Sequence, residues 1–411
     1  MTNLFETNLV KYAELVVKVG VNVQPNQYLY IAASTDSLPL ARLITQKAYE
    51  AGARQVFVDL SDDQISRTRY ELAPDDSFDF FPEWKKQERE WLADQGAAFV
   101  SIVSQSPDLF KGIDSKRIAT FQRAAGTALS KYRQYVQSDK ISWTVIANPS
   151  KDWAAKVFPQ LEEAKQVDAL WDAIFKATRS DLENPVQAWV EHNDTLHEKV
   201  DYLNEKKYAK LHYTAPGTDL TIDLPAGHLW CGAGSINEKG DSFMANMPTE
   251  EVFTVPHKDG VNGYVSSTKP LSYGGNIIDN FKITFENGRI TDVVAEQGEE
   301  VLKTLVDTDE GSHRLGEVAL VPHDSPISNS NLLFFNTLFD ENASNHLAIG
   351  SAYAFCVEGG KTMNSEQLAA AGLNQSITHV DFMIGSAEMN IDGIKEDGTV
   401  EAVFRNGNWA F

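Results

Sequence analysis

Apolar positions in the first 185 residues switch repeatedly between helical and strand-like spacing. Phe5–Val19 predicts an amphipathic opening helix, and the compact run Gln27–Ala33 (QYLYIAA) predicts a strand. Ser37–Ala51 returns to helical spacing with Gly52 as its stop, and Gln55–Leu60 (QVFVDL) is strand-like again. The alternation continues through a helix at Phe81–Gln95, a strand at Ala97–Val103, one long helix at Ser115–Val136 and a strand at Ile141–Ala147. Strands that alternate with helices imply a parallel sheet covered on both faces. Asp152–Ala177, rich in Trp, Ala and Leu, predicts a helical edge, and Asn184-Pro185 opens a connecting helix.

From about residue 208 the pattern changes to short strands and turns. Phe281–Phe285 alternates, meets Asn287-Gly288 and continues as Arg289–Val294, which predicts a two-residue hairpin because both turn residues tolerate positive φ. Asp397-Gly398 before Thr399–Phe404 reads as a second hairpin of that kind. The fold class expected is an α/β N-terminal domain over 1–185, followed by an α+β domain over 186–411.

Charge separates the same two parts. The net charge is −22. Residues 1–185 carry 22 Lys/Arg against 25 Asp/Glu, whereas residues 186–411 carry 14 against 33 and hold all nine histidines. Such a balance argues against nucleic acid or an anionic membrane as partner. No apolar run approaches the ~20 residues of a membrane span, and no secretory signal pattern opens the chain. Two cysteines, Cys231 and Cys356, do not make a disulfide framework and suit a reducing cytosol. The α/β part lacks both G-x-G-x-x-G after a strand and G-x-x-x-x-G-K-[ST], so a nucleotide site is not expected there.

Four acid or imidazole intrusions into apolar runs mark the second half. They are N-M-P-T-E-E-V-F-T with Glu250 and Glu251, G-E-V-A-L-V-P with Glu317, E-N-A-S-N-H-L-A-I-G-S-A-Y with Glu341, His346 and Tyr353, and H-V-D-F-M-I-G-S with His379 and Asp381. In a strand, residues two apart share a face, so His379 and Asp381 converge, whereas Glu250 and Glu251 diverge. Each intrusion also has a plain structural reading: pairing with Lys or Arg, capping a helix, or a histidine oriented by an acid in a packed core. Tyr353, seven residues after His346, fits one helical face or an irregular segment.

Taken together, three carboxylates and two imidazoles suit the inner shell of two divalent ions, which need a shared carboxylate and a shared water at ~3.5–4 Å separation. No H-E-x-x-H, C-x-x-C or G-x-S-x-G motif offers a competing site. Ser351 and Ser386 lie in Gly-Ser pairs with no adjacent base, so a serine nucleophile is not expected.

At the four islands the chain closely resembles the thermophilic-type metalloaminopeptidases, the family of aminopeptidase T and aminopeptidase S (PepS), and the likeness runs over essentially the whole sequence. The resemblance implies a Rossmann-like N-terminal scaffold and gating domain and a C-terminal catalytic domain. It implies that Glu251, Glu317, His346, His379 and Asp381 hold a co-catalytic pair of Zn, Co or Mn ions, with Glu341 as a further acidic contributor. Tyr353 matches the family's active-site tyrosine, and Glu250 is assigned as general base. The activity implied is removal of N-terminal amino acids from short peptides with a free N-terminus, by attack of a metal-bridging hydroxide, in a cytoplasmic homodimer. Two readings compete with it. Another metal-dependent amidase or dipeptidase would use the same site, and a non-enzymatic ligand-binding protein would use the α/β half.

Overall fold

The structure is a computed structural model that describes residues 4–274 and 276–411. The chain divides into two compact units. The first runs to His192 and includes Gly234–Pro248, and the second comprises Asn193–Ala233 and Thr249–Phe411. The helix Pro185–Lys206 carries the chain from one to the other.

In the first unit, Tyr28–Ser34 (β1), Gln55–Ser61 (β2), Ala98–Val103 (β3) and Trp143–Ala147 (β4) form a sheet in the order β2-β1-β3-β4, parallel throughout. Helices cover both faces because both faces of β1 are apolar. Leu29 and Ile31 are fully buried on one side, while Tyr30 packs with Leu92, Phe99 and Ile141 on the other. The helix Leu38–Glu50 follows a 3-10 turn, Thr35–Ser37, closed by a capping box between Ser34 and Ser37; it carries Pro39 in its first turn and ends before Gly52 at φ +95. The single helix expected over Ser115–Val136 is two, Ser115–Ala128 and Ser130–Gln137, broken at Leu129. Gly126, Thr127 and Ser130 are weak helix formers clustered at that point. Asp152–Ala177 also divides, into Lys151–Val157 and Glu163–Ala177, with Pro159 in the gap.

The second unit opens with Lys210–Ala215 (β5), Thr218–Asp223 (β6) and Cys231–Gly232 (β7). The chain then passes through a short hairpin of the first unit, Ser235–Ile236 (β8) and Ser242–Phe243 (β9). No local signal in the sequence announces that return. The remaining strands are Val252–Thr254 (β10), Val261–Ser266 (β11), Leu271–Tyr273 (β12), Asn276–Glu286 (β13), Arg289–Gln297 (β14), Leu315–Leu320 (β15), His346–Gly350 (β16), His379–Met383 (β17), Asn390–Ile394 (β18), Val400–Arg405 (β19) and Asn408–Trp409 (β20). Among the described residues they form two antiparallel sheets. One runs β12-β13-β11-β6-β5-β18-β19-β20, with β14 also on β13, and the other runs β17-β16-β15-β10-β7. Leu211, Tyr213, Leu220, Ile222, Phe281 and Ile283 from the first sheet share one core with Val318, Leu320, Leu347, Ile349 and Phe382 from the second.

The β13–β14 hairpin turns on Asn287 and Gly288 at φ +49 and +81, as the Asn-Gly signal predicts. The second expected turn differs. At Asp397-Gly398 only Gly398 has positive φ; its N–H bonds Lys395 O, and Lys395 N–H bonds Thr399 O, making a longer loop. Asp397 accepts from the Thr399 N–H instead, which holds it out of the left-handed region. The other Asn-Gly turn is Asn406-Gly407, at φ +49 and +74, between β19 and β20. No helix among the described residues is long and apolar enough to cross a membrane.

Next to that loop, Glu401 accepts from Lys206 Nζ, Lys395 Nζ and Tyr208 Oη at 2.7, 2.7 and 2.8 Å. Lys206 first, then Lys395 and Tyr208, draw its carboxyl from 4.5 down to about 2. A depressed folded pKa stabilises above the unfolded value and loses that contribution as pH falls through the folded one. Glu401→Gln is therefore expected to be less stable than the parent at pH 7, with the difference closing between pH 4.5 and 2. Because the group is only partly buried, the difference should also shrink in high salt. Urea midpoints of both proteins across that range check it, and a gap that widens on acidification would refute the assignment.

Candidate metal centre

Strand alternation builds this site. On the sheet β17-β16-β15-β10, Val252, Val318, Leu320, Leu347, Ile349 and Phe382 face the shared core. Their sequence neighbours face the other way. Asp381 pairs with Ala348 and Ala348 with Glu317, so these three lie in one row on one face. His379 pairs with Gly350, and His346 with Ala319, which pairs in turn with Phe253. Glu251, two residues before Phe253, joins the same face. The small residues Ala319, Ala348 and Gly350 leave room between the long side chains.

A bulge makes this arrangement possible. Leu315 and Glu317 are two apart and would share a face in a regular strand, yet Leu315 is in the core and Glu317 is in the site. The register shifts between them: Leu315 pairs with Ile349 while Glu317 pairs with Ala348. Gly316 is the extra residue. A Cβ there would lie 2.3 Å from Ser351 O and 2.4 Å from Gly350 O, so only glycine lets the two chains approach.

Within the site, His346 Nε2 lies 3.0 Å from Glu251 Oε2 and 3.5 Å from Glu317 Oε1. His379 Nε2 lies 3.3 Å from Glu317 Oε2 and 3.5 Å from Asp381 Oδ1. The carboxylates pair with imidazoles rather than with Lys or Arg, which removes one of the plain readings. Both rings turn Nδ1 to a backbone carbonyl, His346 to Ser344 O at 3.0 Å and His379 to Ser351 O at 2.7 Å. An Nδ1–H donated outward fixes the tautomer and points the Nε2 lone pair into the site, as in metal-ligating histidines. These two carbonyls carry no side-chain signal and are invisible in sequence.

The electrostatics ask for positive charge. Burial alone lowers the His346 pKa, but the facing Glu251 and Glu317 carboxylates raise it well above the ordinary value. Burial is likewise overcome at His379, by Tyr353, Asp381 and Glu317. Glu317, which burial alone would push up, is drawn to about 2 by the two imidazoles. Burial raises Glu251, with the charges of Glu317 and Asp381 adding to it and His346 offsetting part. Among the described residues, the buried Glu251 Oε2 and Asp381 Oδ1 face the His346 and His379 ring nitrogens and no further donor. Protons on the imidazoles meet this demand only partly, and a divalent cation would replace them.

Two ligand sets follow from the distances. Glu251, Glu317 and His346 offer donor atoms within 4.8 Å of one another, and so do Glu317, His379 and Asp381. Glu317 belongs to both, and the mixed oxygen and imidazole donors fit divalent cations.

The other expected residues lie around this pair of sets. Glu341, in the turn Glu341–Ala343, belongs to neither; burial, then Asp381 and Glu251, raise its carboxyl pKa well above the usual range. Glu250 is buried outside both sets, with its backbone N–H on Asn342 Oδ1 at 2.7 Å. Tyr353 is extended rather than helical, at φ −82 and ψ 121. Its ring stacks on Phe355 and lies against His379, with centroids 5.2 and 4.8 Å apart. Burial first, then nearby carboxylates, raise its phenol pKa. Sequence reading missed Gly316, although a glycine inside a strand run is itself a bulge signal.

The family profile described as thermophilic metalloprotease (M29) matches residues 5–409. The chain is 66% identical over 407 residues to the aminopeptidase AmpS of Bacillus subtilis (strain 168), spanning 99% of both chains. It is 51% identical over 409 residues to aminopeptidase 2 of Geobacillus stearothermophilus, spanning 100% of this chain and 99% of that one. Among solved structures, wild-type AmpT from Thermus thermophilus superposes with a TM-score of 0.93 at 41% sequence identity, over 99% of this chain and 100% of that one. With its full length matched at the level of sequence and of fold, the chain belongs to the thermophilic metalloprotease family, M29.

Proposed function

We propose that this protein is an aminopeptidase that uses two divalent ions to release N-terminal residues from short peptides. The observation that carries this reading is the pair of three-ligand sets joined at Glu317. Glu251 and His346 complete one set, and His379 and Asp381 the other. Ions held there would supply Lewis acidity toward the scissile carbonyl and a water acidified toward neutral pH. Glu317 keeps its negative charge between the sets, and Ser344 O and Ser351 O hold the imidazoles in register. Tyr353, packed on His379, places a phenol beside the site to hydrogen-bond the oxyanion that develops at the substrate carbonyl. Glu250 is assigned as general base from its place next to Glu251, and Glu341 is a further acidic contributor beside the two sets. The names of the relatives support a free α-amine as the group recognised. The family likeness extends the reading to a cytoplasmic homodimer loaded with Zn, Co or Mn.

The test is hydrolysis of an aminoacyl-amide panel by the purified protein before and after chelation, and after adding back Zn, Co or Mn singly. Activity is expected to vanish on chelation, to return with at least one ion, and to be absent on N-acetylated peptides. Turnover that persists after demonstrated metal removal would overturn the mechanism, and cleavage of acetylated peptides would favour another amidase.

A further inference from the structure

Asn342 is fully buried and joins two segments whose carboxylates meet in the site. Its Oδ1 accepts the Glu250 backbone N–H at 2.7 Å across 92 residues of sequence. Its Nδ2 donates to Leu338 O at 2.9 Å and lies 3.5 Å from Glu341 Oε1. The ladder between β10 and its neighbours begins only at Val252, so Glu251 sits just outside the paired strand. Glu251 Oε2 faces His346 Nε2 at 3.0 Å, so that ring and the Glu251 backbone together set its place. The bond from Asn342 pins that backbone one residue upstream, and the same amide closes the turn that carries Glu341. The turn is itself held: Asp340 takes the N–H groups of Phe334 and Asn336 at 2.8 and 3.0 Å.

We infer that Asn342 is a positioning residue for the metal centre, setting the reach of Glu251 and Glu341 through one buried amide. This rests on the two-ion reading above. Its role differs from that of the five ligand residues, because Asn342 need not touch an ion. Partners that orient ligands commonly cost about 10- to 100-fold in metal affinity or activity when removed. Asn342→Ala removes all three contacts. Asn342→Asp keeps the acceptor for the Glu250 N–H and puts a carboxylate oxygen where the amide faced Leu338 O and Glu341 Oε1. Asn204 is the control: its side chain makes two bonds to the Trp230 backbone in the same unit, at 2.8 and 3.0 Å, and none to the site.

The experiment titrates metal-free full-length parent and each variant with Co2+, reading visible absorption for ligand geometry and chelator competition for affinity. Thermal midpoint and kcat and KM on one aminoacyl amide are read on the same samples. Asn342→Ala is expected to bind Co2+ about 10- to 100-fold more weakly with an altered spectrum and reduced kcat, and Asn342→Asp to fall between it and the parent. Asn204→Ala should lose thermal stability while keeping parental Co2+ affinity, spectrum and kcat. Parental affinity and spectrum in a folded Asn342→Ala would overturn the proposal. If that variant does not fold, parental values in Asn342→Asp would do so, and so would an Asn204→Ala that loses affinity equally. A parent that takes up no Co2+ would instead sink the metal-centre reading itself.

Discussion

Glu317→Gln is expected to lower kcat by about three orders of magnitude or more while the protein stays folded. Glu317 is shared by both ligand sets, so its loss removes a donor from each and the negative charge between them. Lewis-acid stabilisation in such sites is worth several kcal/mol, and each ~1.4 kcal/mol is a factor of ten in rate. The substitution keeps shape and leaves His346 and His379 fixed by Ser344 O and Ser351 O. A folded protein with depleted metal is therefore the expected product rather than an unfolded one. His379→Ala should behave similarly but affect one set only, so its metal content should fall by less. Metal analysis, circular dichroism and turnover on one preparation decide the matter. A fully active, metal-replete Glu317→Gln would remove Glu317 from the mechanism.

The second large effect concerns a residue with no functional group. Gly316→Ala is expected to destabilise the protein by about 3 kcal/mol or more, above the usual range for overpacking, because the clashing atoms are backbone and cannot rotate away. The added methyl would meet Ser351 O, Gly350 O and Ser351 C at 2.3, 2.4 and 2.5 Å. The only relief is to lose the bulge. Losing it would drive Leu315 out of the core or Glu317 out of the site, since the two would then share a face. Activity should fall together with stability. A urea midpoint close to that of the parent, with parental turnover, would show that the bulge does not set the face of Glu317.

Much of the candidate site was legible because strand geometry is local. His379 and Asp381 are two apart in an apolar run, and period-two alternation alone places both on one face, where β17 puts them. The same rule separates Glu251 from its neighbours and makes the acid in G-E-V-A-L-V-P conspicuous. The alternating α/β half was legible for a similar reason, since apolar runs bounded by Gly and capping residues declare strands and helices one at a time. Errors arose where a neighbouring residue outweighed the signal that was read. Leu129 breaks a helix that periodicity ran through. Asp397 spends its carboxylate on Thr399 N–H and so forms a longer loop than its Asp-Gly signal predicts.

By itself the sequence determined which side chains could do chemistry, and that His379 and Asp381 would share one face of their strand. Those properties depend on residue identity and on a repeat two residues long. Only the tertiary structure decided that four separate strands lie side by side with those faces in common. It also decided that one extra residue at Gly316 turns Glu317 toward the site, and that two backbone carbonyls set the imidazole tautomers. The physical reason is range. Register between residues 27 to 68 apart in the chain is chosen by burying Val318, Leu320, Leu347, Ile349 and Phe382 in one core, and that choice carries the polar face with it.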